Sequence, residues 1–443
     1  MITPDYYSVF FNLIKKESNN NNNSYDFDNS ITFFKIWRNL VLKLNILGKL
    51  RLQKENYKKS FSSFRELNDY KYKDFISLLY IYDKNSIDLN KLPYSITTLH
   101  FRYDYNQPIN SLSNKPTNIT TIIFGETFNQ PLNNIDYYNS KCNLPSSLTI
   151  LKFGNSFNQS ISSIKLPKSI KSIEFGDEFN QPLSSTLFPD SLTFLKFGNK
   201  FNQKINIGDL KSSILHLEFG NQFNNGYTND NNYYGDINNI SNNINNMSLN
   251  INNIVIPNSV TSIVVGEFFN KNFNQLGVEP PYLNKNITTF AYCSNFNKPI
   301  SKNSIPLSVT KLKFGSRFNQ LIKFGDIPNG IKYISFGNDF NLPLIRNDKS
   351  DEDDDNNNNN NNNDNISVLP TSITDIEFGK YFNQPFQPGL LGNNIKSIKF
   401  GQNFTKILKS GDIPNSVTSL KFNSFHRQSS HVIPSSVTSL IYE

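Results

Sequence analysis

The chain has 443 residues, 37% hydrophobic, 14% aromatic and 18% charged, with 44 Lys plus Arg against 36 Asp plus Glu and a formal net charge of +8. That length can bury a large core, but 38 Phe and an excess of Asn beside a single Trp exclude the composition of an ordinary compact enzyme domain and point to a repeated unit with low-complexity tracts. Two distant cysteines, Cys142 and Cys293, exclude a disulfide framework or a paired-cysteine zinc site, and the absence of an apolar run of about 18 residues excludes a membrane span.

The first segment, MITPDYYSVFFNLIKKE, has no small-residue cleavage site and no long apolar stretch, so it does not read as a signal peptide, and the protein is expected in the cytoplasm or nucleus. Residues 1–90 carry no repeat and read as a helical N-terminal region, interrupted by an Asn-rich segment at 19–23. Between Ile31 and Lys54, Phe33, Trp37, Leu40, Leu44 and Leu47 recur at helical spacing, and Gly48 is expected to end the helix. A second stretch from about Phe61 to Tyr82 places Phe75, Leu78, Leu79 and Tyr82 at i, i+3, i+4 and i+7, which predicts another helix. The structural role of such helices is to cap the open apolar end of a repeat array. The 31–54 helix carries six basic residues and no acid, and Phe34, Val41 and Leu47 stand at positions 1, 8 and 14, a spacing that suits a calmodulin target. Phe34, Trp37, Arg38, Val41, Lys43 and Leu47 are therefore candidate partner-binding residues. Nine basic residues against one acid, Glu55, lie between Ile31 and Arg65, an excess equal to that of the whole chain.

From residue 92 onward one pattern recurs: Leu or Ile, Pro, any residue, Ser, an aliphatic-Thr-x-aliphatic-x-Phe-Gly run, then Phe-Asn-Gln-Pro. LPSSLTILKFGNSFNQSI from Leu144 and LPKSIKSIEFGDEFNQPL from Leu166 are clear copies, and Pro145, Pro167 and Pro189 step by 22 residues. A period near 22 lies in the range of leucine-rich-repeat solenoids. Fourteen copies can be counted, each offering one short strand whose alternate residues, such as Leu151 and Phe153, point inward. Gly154 and its equivalents follow the strand where a sharp turn is expected to need φ > 0. Phe153 with Phe175 and Phe197, and Phe157 with Phe179 and Phe201, predict two stacked columns. Asn158, Asn180 and Asn202 predict a further column that satisfies turn backbone groups of the neighbouring coil.

These residues resemble the FNIP repeat, named for Phe-Asn-Ile-Pro, with Phe179-Asn180-Gln181-Pro182 and Phe382-Asn383-Gln384-Pro385 as clear instances. The resemblance covers about four fifths of the chain and implies a leucine-rich-repeat-like solenoid, mainly β, of about fourteen coils over 91–443 behind a small helical cap, with protein binding and neither enzymatic activity nor a cofactor. The chain departs from the family pattern in three ways. Gln usually replaces the Ile, Tyr292-Cys293 replaces Phe-Gly in one copy, and the copy at Asp209 lacks its Pro; the last two copies are expected to pack less regularly. Asn-rich insertions at about 225–250 and 345–365 break the period and read as disordered loops between coils. The run Asp351 to Asp355 lacks the Gly and the alternating ligands of a calcium loop and reads as solvated linker.

Four His, none with a metal-ligand spacing, and the lack of a phosphate loop, a nucleophile elbow or a Cys-His pair leave no catalytic or metal site to name. Outward strand positions between the Leu and Phe columns alternate Lys152, Glu174, Lys196, Glu218, which reads as register control between strands roughly 4.8 Å apart and argues against a nucleic-acid groove. Lys313, Lys399 and Lys421 leave the C-terminal part more basic and are further candidate partner-binding residues. The expected function is a monomeric, non-enzymatic protein-interaction scaffold without nucleic acid. Calmodulin binding through 31–54, an F-box-like adaptor and a structural repeat without dedicated partner are the alternatives.

Overall fold

The computed structural model describes residues 40–83, 85, 91–109, 118–132, 144–161, 166–184, 187–206, 208–223, 256–267, 286–302, 304–345, 367–423 and 428–442. Their strands are β1 (Lys58–Phe61), β2 (Leu78–Ile81), β3 (Thr98–Phe101), β4 (Thr121–Ile123), β5 (Ile150–Lys152), β6 (Ser172–Glu174), β7 (Phe194–Lys196) and β8 (His216–Glu218). They continue as β9 (Ser262–Val265), β10 (Thr289–Tyr292), β11 (Lys311–Lys313), β12 (Tyr333–Ser335), β13 (Asp375–Glu377), β14 (Ser397–Lys399), β15 (Ser419–Phe422) and β16 (Ser439–Tyr442). All sixteen form one sheet in sequence order, and each pair is parallel, as in β5 to β6 and β6 to β7. This is the solenoid expected from the repeat, with β3 to β16 supplied by its fourteen copies. The insertions lie outside the described residues, yet the ladder runs past them: β8 pairs directly with β9 and β12 with β13.

The N-terminal region differs from the expectation. Its first helix, α1 (Leu40–Asn56), runs through Gly48 rather than ending there. The stretch read as a second long helix is instead β1, a short helix α2 (Phe64–Asp69), a 3-10 turn (Lys73–Phe75) and β2. Leu78, Leu79 and Tyr82 fit a helical period, but Leu79 and Ile81 alternate into the core while Leu78 and Tyr80 face outward. Ser63 caps α2, its Oγ accepting from Glu66 N at 3.2 Å while Glu66 Oε2 accepts from Ser62 N at 2.8 Å. Buried Leu67 and Ile76, with Phe61, Phe64 and Tyr70 packed against them, close this end of the core. Asn56, at the end of α1, is buried, donates to Leu52 O at 2.7 Å and accepts from the Tyr70 hydroxyl.

The core is a set of columns, one residue per coil. Leu151, Ile173, Leu195 and Leu217, at the centres of successive strands, are fully buried. Phe153 stacks on Phe175 at 5.4 Å between centroids, Phe157 on Phe179 at 6.1 Å, and Phe153 on Phe157 within the coil at 3.9 Å. Where Tyr292-Cys293 replaces Phe-Gly the aromatic stack continues, Tyr292 lying 4.0 Å from Phe296 and 5.6 Å from Phe314. The expected irregularity is confined to the backbone: β10 runs four residues, and Cys293 N donates to Val265 O at 2.9 Å.

The glycine column has a different cause from the one expected. None of its members has positive φ, a conformation found at Gly208, Gly325, Gly389 and Gly411. A Cβ on Gly176 would instead stand 1.9 Å from Gly154 O, and one on Gly198 1.9 Å from Gly176 O. Each coil therefore presses its backbone against that of the coil before it, which only a residue without a side chain allows.

Polar side chains bond the coils together. Asn158 Oδ1 accepts from Asn180 N at 2.9 Å and from Gln181 Nε2 at 3.0 Å, and Asn180 serves Asn202 and Gln203 in the same way. The Asn column thus satisfies turn backbone as expected, and the Gln after it adds a second donor. The Ser shortly before each strand donates to the preceding coil: Ser191 Oγ to Ile170 O at 2.6 Å and Ser213 Oγ to Leu192 O at 2.7 Å.

Three substitutions test these contacts. Gly176→Ala should lower unfolding stability in urea by more than about 2 kcal/mol, because the overlap is with backbone, whereas Gly48→Ala, with no atom within 4 Å, should be neutral or raise it slightly. Asn180→Ala should cost about 1–3 kcal/mol, since the Asn202 N–H loses its acceptor.

Candidate interaction surface

The first and third residues of each three-residue strand face away from the core, and along the whole ladder none of these side chains is buried. The outward face divides into zones. At β2 to β5 it is apolar and aromatic, with Tyr80, His100, Ile123 and Ile150 half-buried. Tyr80 stacks on His100 at 4.8 Å, and Lys58 Nζ lies 4.8 Å over the Tyr80 ring. Sequence reasoning misses this aromatic head. The outward place of His100 follows from the first repeat copy, but its partner Tyr80 becomes visible only once LLYI is read as a strand rather than as part of a helix.

From β5 to β8 the face is charged and balanced. Lys152 and Glu174 stand opposite in register, with Nζ 2.6 Å from Oε1, and Lys196 lies 3.4 Å from Glu218. Both pairs are partly open to solvent, so each contributes a few tenths of a kcal/mol, about what register control needs. β9 and β10 present the small side chains Ser262, Val264, Thr289 and Ala291.

The C-terminal zone holds the three ladder lysines singled out from sequence. Lys313 is exposed and has Ala291 and Ser335 beside it in register, so no acid flanks it on β10 or β12. Its neighbour Lys311 lies 5.2 Å over the Tyr333 ring. Lys399 approaches Glu377 at 4.0 Å, and Lys421, half-buried, stands between Lys399 and Ile441. Burial, and then hydrogen bonding to Glu377, push the pKa of the Tyr333 hydroxyl up to about 12.

The N-terminal candidates are elsewhere. Phe34, Trp37 and Arg38 lie outside the described residues, and Val41 belongs to the first turn of α1. Lys43 is half-buried and Leu47 is exposed, as is Leu44. Over its described length α1 interleaves leucines with Lys49, Arg51 and Lys54 around its circumference rather than gathering the apolar residues on one face.

Titratable groups inside the solenoid are few. Asp209, Asp326 and Asp412 are buried in the loops, and the Oδ2 of each accepts a backbone N–H three residues earlier at 2.7 Å, from Asn206, Lys323 and Lys409. Burial raises the Asp326 carboxyl above its ordinary range against the pull of the Lys323 and Lys302 N–H groups. Burial likewise raises the Cys293 thiol, which lies 2.9 Å from Asn221 Oδ1. Among the described residues no group of His, Cys, Asp and Glu is arranged to hold a metal ion, and no helix is long and apolar enough to cross a membrane.

The FNIP Repeat model matches eight overlapping segments, 139–178, 162–200, 289–317, 295–339, 318–347, 361–403, 382–425 and 404–441. Among solved structures, the chain is similar to CroV588, a circular leucine-rich-repeat protein, with 29% identity, a TM-score of 0.49, and coverage of 83% of this chain but 53% of that one, about half its length. YopM from Yersinia enterocolitica is also similar, with 15% identity, a TM-score of 0.35, and coverage of 84% of this chain and 73% of that one. No curated protein sequence matches the chain.

The raised Asp326 carboxyl carries a signed pH dependence. A folded value above the unfolded one means that the protonated form suits the fold better, so the penalty is absent below the ordinary carboxylate range and grows as pH rises through it. Asp326→Asn keeps an acceptor for Lys323 N but cannot charge. Its urea midpoint should gain on the wild type between about pH 3 and about pH 7, and a difference that does not change with pH would contradict the assignment.

Proposed function

The chain belongs to the FNIP-repeat family, and from its ladder we propose that it is a non-enzymatic scaffold that binds another protein on the outward face of the strands. The observation behind this reading is the unbroken sixteen-strand sheet, none of whose outward side chains is buried among the described residues. Columns of buried Phe and interlocked backbone hold those side chains in fixed rows. A partner therefore meets a rigid surface and loses little free energy to ordering it.

The zones on that surface differ in what they can recognise. The Tyr80 and His100 rings offer flat apolar contact with Lys58 beside them. The Lys152 to Glu218 stretch is self-neutralised and contributes shape more than charge. Lys313, without an acid in register, leaves positive charge available to an acidic group. A partner bearing an aromatic or aliphatic end and an acidic end would match the zones around Tyr80 on β2 and Lys313 on β11.

Site-specific photo-crosslinking of the intact protein in its own cells tests this reading. A crosslinker at position 313 or 100 should capture a discrete partner, and Lys313→Glu should weaken the capture several-fold. A crosslinker at the exposed turn residue Lys168, off the ladder, should capture nothing discrete. Equal capture from 168, or none from the ladder positions, would reject the ladder face as the binding surface.

A further inference from the structure

A second surface lies away from the ladder, on the loops that follow the second Phe of each coil. There the repeat places Pro three residues after the Phe, as in Pro343 and Pro385. Two coils break this rule with large aliphatic residues that remain in solvent: Leu321 is 42% exposed and Ile407 80% exposed. They share one row, because the Phe rings beneath step regularly, Phe318 to Phe340 at 5.9 Å, Phe340 to Phe382 at 6.0 Å and Phe382 to Phe404 at 6.5 Å. Leu321, the two prolines and Ile407 thus make an apolar row one side chain wide.

Among the described residues of these loops the exposed charge has one sign. In the described loops 319–327, 341–345, 383–391 and 405–413 the only acids are Asp326 and Asp412. Both are buried, each accepting a backbone N–H at 2.7 Å, so neither carboxylate is presented to solvent, although Asp326 also feels the charge of Lys323. Lys323, Lys406 and Lys409, in contrast, are exposed. The balance of Lys and Glu seen on the strands does not extend to this flank.

We propose that this flank is a docking surface for an acidic, extended segment of another protein that seats two aliphatic side chains on Leu321 and Ile407. Three coil steps of about 6 Å match about five or six residues of extended chain at its ~3.4 Å rise. Carboxylates on either side of the anchors would meet Lys323, Lys406 and Lys409. A lipid surface suits the row less well, since interfacial binding draws on a broad apolar face and this one is a single file. The site is separate from the ladder lysines and goes beyond the ladder-binding function.

The test uses the full chain and a fluorescent peptide of about 14 residues, made of Glu and Ser with two leucines about five residues apart, with binding read by anisotropy. The expected result is binding that falls about tenfold when the leucines become serine, and about tenfold again in Leu321→Ser with Ile407→Ser or in Lys323→Glu with Lys409→Glu. Lys313→Glu, on the ladder, should leave it unchanged. Equal affinity for the leucine-free peptide would reduce the surface to non-specific charge and overturn the proposal. So would loss of binding in Lys313→Glu alone, or binding to phosphatidylserine vesicles with none to the peptide. Binding seen only after Asp351, Asp353, Asp354 and Asp355 are changed to Asn would make the chain's own acidic run the occupant and overturn an outside partner.

Discussion

The contact on which the rest of this solenoid depends is the approach of one coil's glycine to the backbone of the coil before it. An added Cβ would lie 1.7 to 2.1 Å from that backbone oxygen all along the column from Gly125 to Gly401. Such closeness lets the Phe rings of successive coils stack and holds strands of only three residues in register. Each coil touches only its neighbours, so stability is built from many similar interfaces, and a defect at one glycine is felt by the stack on either side. Where Tyr82, Arg102 and Cys293 stand in place of glycine, β2, β3 and β10 have four residues, a length that β9 also reaches ahead of Gly266.

Short strands create a second requirement. A coil with three ladder residues has far more turn backbone than strand backbone, and those groups are too close to the core to be left unbonded. Asn, Gln, Ser and Thr meet the need by bonding from coil to coil, as Asn158 does for Asn180 and Gln181, Ser191 for Ile170 and Thr193 for Lys171. The polar composition and the dry aromatic core are thus two parts of one design. The low hydrophobic fraction of 37% does not signal a weak core, because the residues that fill it are large and the bonds that close it are side-chain bonds.

Features repeated once per coil are legible in the sequence: the period, both Phe columns, the Asn ladder and the Lys152 to Glu218 pairing. Recurrence separates a structural column from chance, and register then follows from the period. β1 and β2 are not legible, because Lys58–Phe61 and Leu78–Ile81 lack the Pro, Gly and Phe punctuation and Leu78, Leu79 and Tyr82 suit either period. The glycine column is legible as a position but not in its cause, since a turn and a close approach place the same residue at the same spot. Of the candidate site, Lys313, Lys399 and Lys421 take their expected places on the ladder, but only the register shows that Glu377 attends Lys399 while no acid flanks Lys313 on the adjoining strands. The run of α1 through Gly48 is hidden because a glycine penalty near 1 kcal/mol is small against a turn of flanking leucines.

The two outward surfaces are constrained differently, and that difference bears on where recognition can arise. On the ladder, neighbouring side chains are held one strand apart, so a charge introduced at one coil acts on the next and calls for an opposite partner; Lys152 with Glu174 and Lys196 with Glu218 are the outcome. On the loops, the residues after the second Phe project from turns, and the buried Asp326 and Asp412 are occupied with backbone N–H groups rather than with the surface. Positive charge and exposed aliphatic side chains can gather there without disturbing the stack beneath. A solenoid of this kind can therefore keep one face under the discipline of its own register while the adjoining flank varies to meet a partner.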